Sequence, residues 1–104
     1  MGDALLILVP DEKYMHHVIN LTNAAHARGK RVQIIFCGRG VNLVRDPGFA
    51  ALAETARISI CQASFRDYGL AEHADRIPAI ATARLTTHAR HVELLAQSDR
   101  HIVL

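Results

Sequence analysis

The sequence predicts an α/β fold, a three-layer sandwich around a mainly parallel sheet of about five strands. Short apolar runs rich in β-branched residues alternate with segments whose apolar residues recur at helical spacing. Several of these helical segments end at a glycine, the residue that most often terminates a helix. Half of the residues are hydrophobic (50%) but only 5% are aromatic, so the core must consist mainly of Ala, Ile, Leu and Val. Together with the length of the chain, these observations indicate one domain over residues 1–104.

The first strand and helix are predicted from the opening of the chain. Ala4–Val9 is a continuous apolar run closed by Pro10, which is typical of a strand buried on both faces. Asp11 is expected to cap the helix that follows, and Gly29 is expected to end it. The residues that recur at helical spacing, and are expected to face the core, are Tyr14, Val18, Leu21 and Ala25.

A second strand is predicted over residues 31–37, which are mostly β-branched or aromatic. It leads into Gly38-Arg39-Gly40, whose glycines indicate a tight turn, and then into a short helical turn over residues 41–45. These glycines do not form a dinucleotide or phosphate-loop motif, since both motifs need further glycines or a Gly-Lys-Ser/Thr ending. The turn could still let backbone amides approach a small anion.

The third strand follows another helix. Asp46 is expected to cap a helix over residues 49–56, which carry an apolar face. Arg57–Cys61 is then predicted to be a strand, because this short run is largely apolar and contains two β-branched isoleucines. Residues 62–68 are predicted to form a short helix that ends at Gly69.

The last third of the chain has a weaker pattern. Residues 77–82 could form an edge strand or an extended loop, since Pro78 lacks the N–H that a central ladder requires, and we place a fourth strand there. Residues 100–104 are predicted to form a closing strand. Thr86 or Thr87 is expected to cap the last helix, whose apolar residues are Ala89, Val92, Leu95 and Ala96.

The candidate site lies where the strands end, because ligands of open α/β sheets bind beyond the carboxyl ends of the strands. Cys61 ends the third strand immediately before a predicted helix, so the free amides of Ala63 and Ser64 could face its sulfur. Arg39 and Arg66 are the cations expected nearby. Helix-end amides and cations lower the pKa of a thiol and so make it more reactive. The alternative interpretation is that Cys61 is an ordinary buried small residue.

Other residue types in the sequence carry weaker indications of chemistry. Cys37 also ends a strand, and is interpreted as a packing residue or at most as a partner thiol. His88 and His91 lie one helical turn apart, but no zinc-binding spacing accompanies them, so no metal site is predicted. His17 lies close to the strand ends on the first helix, where a role beside the thiol competes with a packed or surface imidazole. No Ser-His-Asp or paired-carboxylate pattern supports a hydrolase.

Composition and charge exclude several classes of partner. A net charge of +2 without a basic stripe does not indicate nucleic-acid binding. The apolar runs are far shorter than the roughly 20 residues that a membrane-spanning helix needs. Two cysteines without a secretory leader favour a reducing compartment, and therefore a cytoplasmic protein whose thiols are free.

The order and spacing of these elements resemble the DsrE/DsrF-like family of small sulfur-relay proteins. The resemblance covers nearly the whole chain, including the apolar opening strand. The segments that carry it are ARGK at residues 27–30, GRGVNLV at 38–44, ISICQAS at 58–64 and LLAQSDRHIV at 94–103. One departure is Tyr68, since many family members carry an Arg directly before the glycine that follows the cysteine segment.

The resemblance implies a DsrE-like domain, with a flavodoxin-like arrangement, that relays sulfur between protein thiols. A cysteine at the position of Cys61 carries the sulfane sulfur as a persulfide, which would make the protein a sulfurtransferase that needs no cofactor. The implied partners are sulfur donor and acceptor proteins and further copies of the chain, as a trimer or hexamer. The residues expected to support the thiol or the substrate are Gly38, Arg39, Gly40, Gln62, Ser64, Arg66 and His17.

Two other functions remain open from the sequence. The chain could be a non-catalytic oligomeric module that binds a small anion or a partner protein at the strand ends, with Cys61 only packing there. It could also bind a nucleotide or flavin, although nothing in the loops specifically favours this.

Overall fold

A computed structural model describes residues 4–104 and contains one five-stranded sheet in which every paired strand is parallel. The strands lie in the order β4-β3-β2-β1-β5. This architecture confirms the predicted α/β sandwich. The order differs from that of flavodoxin, 2-1-3-4-5, because here β1 lies between β2 and β5. The strand bounds are β1 Ala4–Val9, β2 Arg31–Phe36, β3 Arg57–Cys61, β4 Ala83–Thr86 and β5 Arg100–Val103.

Four α-helices and three 3-10 segments connect the strands. The helices are α1 Met15–Ala27, α2 Phe49–Thr55, α3 Gln62–Asp67 and α4 His88–Gln97, and the 3-10 segments are Gly38–Arg45, Ala71–Arg76 and Ile80–Thr82. Within residues 4–104, no helix is long and apolar enough to cross a bilayer.

The strand order places these helices on opposite faces of the sheet. The chain moves in one direction from β1 to β4 and then returns across the sheet to β5. Because crossovers between parallel strands are right-handed, α1, α2 and α3 must share one face, and α4 must lie on the other. We call the first the front face and the second the back face.

The two faces have different cores. The front face buries a large cluster that includes Ile7, Ile34, Phe36, Phe49 and Ile60, all at most 1% exposed. The back face buries a small cluster, whose members are Leu6, Ile35 and Leu94 with Leu8 and Leu95 packed against it. The front face is therefore the main source of packing energy, because the favourable free energy of burial grows with the apolar area removed from water.

The first helix differs in detail from its prediction. Asp11 does not cap it; the Asp11 carboxylate instead accepts a hydrogen bond from the Lys13 N–H at 2.9 Å, which forms a local turn, and the helix begins at Met15. The buried positions of α1 are Met15, Val18, Thr22 and Ala25, while Tyr14 is 40% exposed. Tyr14 lies just before the helix, and Leu21 is only partly buried, packed against the edge of the front-face cluster.

The position predicted for the fourth strand is wrong. β4 covers Ala83–Thr86, and the predicted stretch 77–82 instead ends in a 3-10 turn. Pro78 lacks an N–H, and Ala79 has a left-handed backbone with φ of 64°, so this stretch cannot continue a ladder. The lateral position of the strand at the edge of the sheet is as predicted.

The predicted core face of the last helix is wrong except at Leu95, which packs against the back-face cluster. Thr87 caps α4 as expected, with its hydroxyl accepting a hydrogen bond from the Arg90 N–H. The buried residues of α4 are His91 and Leu94, whereas Val92 is 64% exposed. The helix buries a polar imidazole in preference to an apolar valine because His91 has a hydrogen-bond partner in the sheet, as described below.

Candidate functional site

The carboxyl ends of β3 and β4 form the topological switch point of the sheet. The chain leaves β3 toward the front face through α3, and it leaves β4 toward the back face through α4. Neighbouring strands whose connections diverge in this way leave a crevice between them, which is the usual ligand position in open α/β sheets. Cys61 and Thr86 are register partners at this point.

Cys61 ends β3 and is also the N-cap residue of α3. Its position before a helix is as predicted, but the sulfur makes no capping hydrogen bond to the helix amides. The side chain is 3% exposed. Strand alternation explains this burial, since Ile58 and Ile60 face the front core and Cys61 therefore faces the back, toward α4. The sequence predicts a reactive thiol at a ligand site beyond the strand ends, whereas the structure covers this thiol from solvent.

Cys37 lies beside Cys61 on the neighbouring strand. Phe36 pairs with Ile60, so the next residues of the two strands, Cys37 and Cys61, continue the register by one position. The backbone of Cys37 is extended, and its N–H donates to the Val9 carbonyl at 3.1 Å, as in a parallel ladder. Both cysteines therefore occupy adjacent positions on the back face.

The two thiols differ in exposure and interact electrostatically. Cys37 is partly exposed, whereas Cys61 is buried. Burial raises the pKa of the Cys37 thiol above its ordinary value, and the negative charge of a Cys61 thiolate raises it further. The two sulfur atoms are thus close enough for the charge on one to affect the proton on the other.

The loop after β2 is held tightly over the ends of the strands. Gly38 has φ of 51°, and its N–H donates a hydrogen bond to the Ser64 hydroxyl of α3 at 3.0 Å. Gly40 lies directly against the Val9 carbonyl, so that a Cβ atom at this position would overlap the carbonyl oxygen. The predicted tight turn is confirmed, and the Gly38–Ser64 bond connects the segments that follow the two cysteines.

The other predicted supporting residues lie in solvent. Arg39, Gln62 and His17 are exposed. Arg66 is also exposed and contacts Asp67 at 3.9 Å. The ring of His17 contacts the ring of Tyr14, at a centroid distance of 5.9 Å. The structure therefore brings together the two cysteines, Gly38, Gly40 and Ser64.

A buried Thr86–His91 pair borders Cys61, and the sequence analysis did not predict it. The Thr86 hydroxyl lies 2.6 Å from His91 Nε2 and 3.3 Å from the Ile60 carbonyl. His91 is 7% exposed. Burial lowers the pKa of His91, and the neighbouring His88 lowers it further, so the ring favours its neutral form. The one-turn spacing of His88 and His91 was visible in the sequence, but the partner on β4 was not.

The described cavities do not open onto the cysteines. One, of about 530 Å³, lies at the amino ends of the strands and is lined by residues such as Lys30, Arg31 and Glu54. A second, of about 400 Å³, is a groove beside α4 on the back face that also reaches Ala53 and Ala56 at the end of α2. Its polar lining residues are Gln33, Arg57, Ser59, Thr82, Arg84, Thr86 and Arg90. This arginine-rich groove reaches Thr86 and thereby the neighbourhood of Cys61.

The described chain holds no cluster suited to a metal ion. Within residues 4–104, no three His, Cys, Asp or Glu side chains are grouped in a way that could hold one. The rings of His88 and His91 lie 5.8 Å apart in an edge-on contact.

Comparison with known proteins identifies a shared fold. No family model matches the sequence, and no curated protein matches it significantly. Among solved structures, the YchN protein of E. coli matches with a TM-score of 0.70 and 11% sequence identity, over 100% of both chains. This TM-score over the full length of both chains shows that the protein and YchN share the same fold. At this identity the likeness concerns the fold alone.

Proposed function

We propose that the protein is a sulfur-relay protein that carries sulfane sulfur as a persulfide on Cys61 and transfers it between protein thiols. The observation that carries this proposal is the position of Cys61 at the β3/β4 switch point of a DsrE-like sheet. The resemblance of residues 58–64 to the cysteine segment of the sulfur-relay family supports the assignment to Cys61.

The proposed reaction is thiol exchange without a cofactor. The Cys61 thiolate attacks the outer sulfur of a donor persulfide; a new S–S bond forms at Cys61, and the donor leaves as a thiolate. An acceptor thiolate then attacks the same outer sulfur and releases Cys61. The oxidation state of the transferred sulfur does not change, so neither step needs an oxidant or a reductant.

The surroundings of Cys61 are suited to holding a reactive persulfide. The thiol is covered from solvent, and the Gly38–Ser64 hydrogen bond holds together the segments that follow the two cysteines. Exclusion of water protects a reactive intermediate from side reactions. The proposal includes donor and acceptor proteins, a cytoplasmic location and assembly into a homo-oligomer such as a trimer or hexamer, for which light scattering is the direct measurement.

Persulfide loading tests this function. The protein is incubated with glutathione persulfide, and intact mass is measured for wild type, Cys61→Ser and Cys37→Ser. We expect wild type and Cys37→Ser to gain one sulfur atom and Cys61→Ser to gain much less. Equal gain by Cys61→Ser and wild type would contradict the assignment to Cys61. Thermal midpoints of all three proteins control for loss of fold.

A second candidate function is the binding of a small anion in the back-face groove. Arg57, Arg84 and Arg90 line this groove, and within residues 4–104 only Arg90 among them has an ion-pair partner, the Glu93 carboxylate at 2.8 Å. Arginine binds oxyanions through a planar fork of donors. Calorimetric titration with phosphate tests this function. If wild type binds phosphate, Arg84→Gln does not, and wild type also fails to gain sulfur in the persulfide-loading experiment, the results would favour the anion-binding module over the relay.

A further inference from the structure

We propose that Cys37 is a second reacting thiol, and that the sulfane sulfur passes from buried Cys61 to the more exposed Cys37 before it leaves the protein. This inference rests on the proposed function, because it concerns the route of the same sulfur atom. It assigns a catalytic role to Cys37, a residue that the sequence pattern presents as packing or at most as a partner thiol.

The register of the sheet provides the distance that such a transfer requires. Cys37 and Cys61 occupy consecutive register positions after the Phe36–Ile60 pair, on neighbouring parallel strands. Such strands lie about 4.7–4.9 Å apart, and side chains at paired positions point the same way. Transfer of a sulfur atom between two thiols passes through three sulfurs in line, and two S–S bonds in line span about 4.1 Å. The strand spacing therefore suits a sulfur atom shared between the thiols.

A disulfide between Cys37 and Cys61 is the competing product. The spacing of about 4.7–4.9 Å between parallel strands lies within the range of Cα separations that disulfides span, so the spacing does not exclude it. Attack of Cys37 on the outer sulfur of the persulfide keeps this sulfur for transfer, whereas attack on the Cys61 sulfur closes the disulfide and releases sulfide. The Gly38–Ser64 hydrogen bond holds together the segments that follow the two cysteines in either case. The products distinguish the two routes.

Exposure favours release of the sulfur from Cys37. Cys61 is 3% exposed, whereas Cys37 is only partly buried. An acceptor thiol that approaches the folded chain therefore reaches a persulfide on Cys37 more easily than one on Cys61. Because thiol exchange depends on access to the attacked sulfur, Cys37 is the better exit position.

The transfer step balances without a co-reactant. The Cys37 thiolate attacks the outer sulfur of the Cys61 persulfide; the Cys37–sulfur bond forms, the Cys61–sulfur bond breaks, and Cys61 leaves as a thiolate. One negative charge moves from one thiol to the other, and the proton on the outer sulfur stays there. Mutual repulsion disfavours two thiolates at this spacing, which agrees with the effect of Cys61 in raising the pKa of Cys37.

The experiment locates the sulfur after loading and follows its departure. Wild type, Cys37→Ser and Cys61→Ser are loaded with glutathione persulfide, alkylated at successive times, and mapped by peptide mass. A parallel sample receives glutathione as acceptor. In wild type we expect sulfur on both the Cys37 and the Cys61 peptides. In Cys37→Ser we expect sulfur on Cys61 and transfer to glutathione about tenfold slower, because the acceptor must reach a covered sulfur.

The outcomes separate this inference from the function on which it rests. Sulfur found only on Cys61, with Cys37→Ser transferring as fast as wild type, would overturn the role of Cys37 and leave the Cys61 carrier intact. A wild-type chain that releases sulfide and closes a Cys37–Cys61 disulfide, while Cys37→Ser keeps its persulfide, would overturn the relay step alone. Failure of wild type and both variants to gain sulfur would overturn the carrier function and the relay together.

Discussion

The front and back faces of the sheet share the same strands but differ in what covers them. Three helices cover the front face, and its buried residues are almost all apolar. One helix, α4, covers the back face, which carries both cysteines, Ser59, Thr86 and the arginine-rich groove. This contrast indicates a division of roles between the faces. Packing on the front face stabilises the fold, and the back face, which a single helix covers, carries the groups capable of chemistry.

Truncation of a large side chain on each face would test this division most strongly. Phe36→Ala on the front face should lower the free energy of unfolding by about 3–5 kcal/mol, because Phe36 is fully buried and its ring packs edge-on against Phe49. Leu94→Ala on the back face should cost less, about 2–3 kcal/mol, since it lies in a small cluster. Urea unfolding measures both. A larger loss for Leu94→Ala would contradict the comparison.

Two glycine substitutions would test the close packing of the loop over the strand ends. Gly40→Ala should cost about 1–3 kcal/mol, because the new Cβ overlaps the Val9 carbonyl. The matched control is Gly69→Ala, where φ is 73° and the space is open, so that only backbone strain of about 1–2 kcal/mol applies. Only Gly40→Ala should also change the alkylation rate of Cys37, since it displaces the loop that begins there. Equal alkylation rates in the two variants would argue against a tightly held loop.

Acid unfolding would test the buried His91 on the back face. The pKa of His91 in the folded chain is lowered from its ordinary 6.5, first by burial and then by His88. The unfolded chain therefore binds the proton more readily than the folded chain. The contribution of neutral His91 to the free energy of unfolding is thus complete above pH 6.5 and decreases as the pH falls below that value. His91→Gln should flatten this fall.

The exposed His73 offers a control for that experiment. His73→Gln should keep the wild-type dependence of the thermal midpoint on pH, because its side chain lies in solvent. If His91→Gln and wild type lose stability in parallel between pH 6.5 and 5, the buried neutral imidazole is not responsible.

A smaller effect is expected on the titration of Cys37. Its raised pKa has two causes, burial and then the charge of Cys61. Cys61→Ser removes only the second cause, so the midpoint of the alkylation rate against pH should move down but stay above that of an ordinary thiol. Thr86→Ser, which alters the other register partner of Cys61, should leave the midpoint unchanged. An unchanged midpoint in Cys61→Ser would show that the two thiols do not interact.

The predictions from sequence were most accurate where the signal was local. β1 and β3 have the predicted bounds, because a short apolar or β-branched run shows burial directly. The position of β4 and the buried face of α4 depended on contacts between distant segments. Val92 fits an apolar stripe, yet His91 is buried in its place because Thr86 supplies a hydrogen-bond partner. Helical spacing alone contains no information about that partner.

The candidate site shows the same limit. Placement of Cys61 at a strand end before a helix followed from adjacent residues. Its pairing with Cys37 depends on which residue of β2 lies beside which residue of β3. Phe36 and its register partner Ile60 are 24 positions apart in the sequence. Register between distant strands is a tertiary property, so the sequence left Cys37 open as a packing residue or at most a partner thiol.

Binding of phenylarsine oxide would test most directly the central claim that Cys37 and Cys61 form a pair of neighbouring thiols on the back face. A trivalent arsenical bonded to two thiols resists displacement by a monothiol, whereas a single bond is readily displaced. We predict one arsenical per wild-type chain, with both cysteines protected from alkylation in the presence of excess 2-mercaptoethanol, and loss of the adduct from Cys37→Ser and Cys61→Ser. If 2-mercaptoethanol displaces the arsenical from wild type as readily as from the single variants, the result would contradict the pairing of the two thiols.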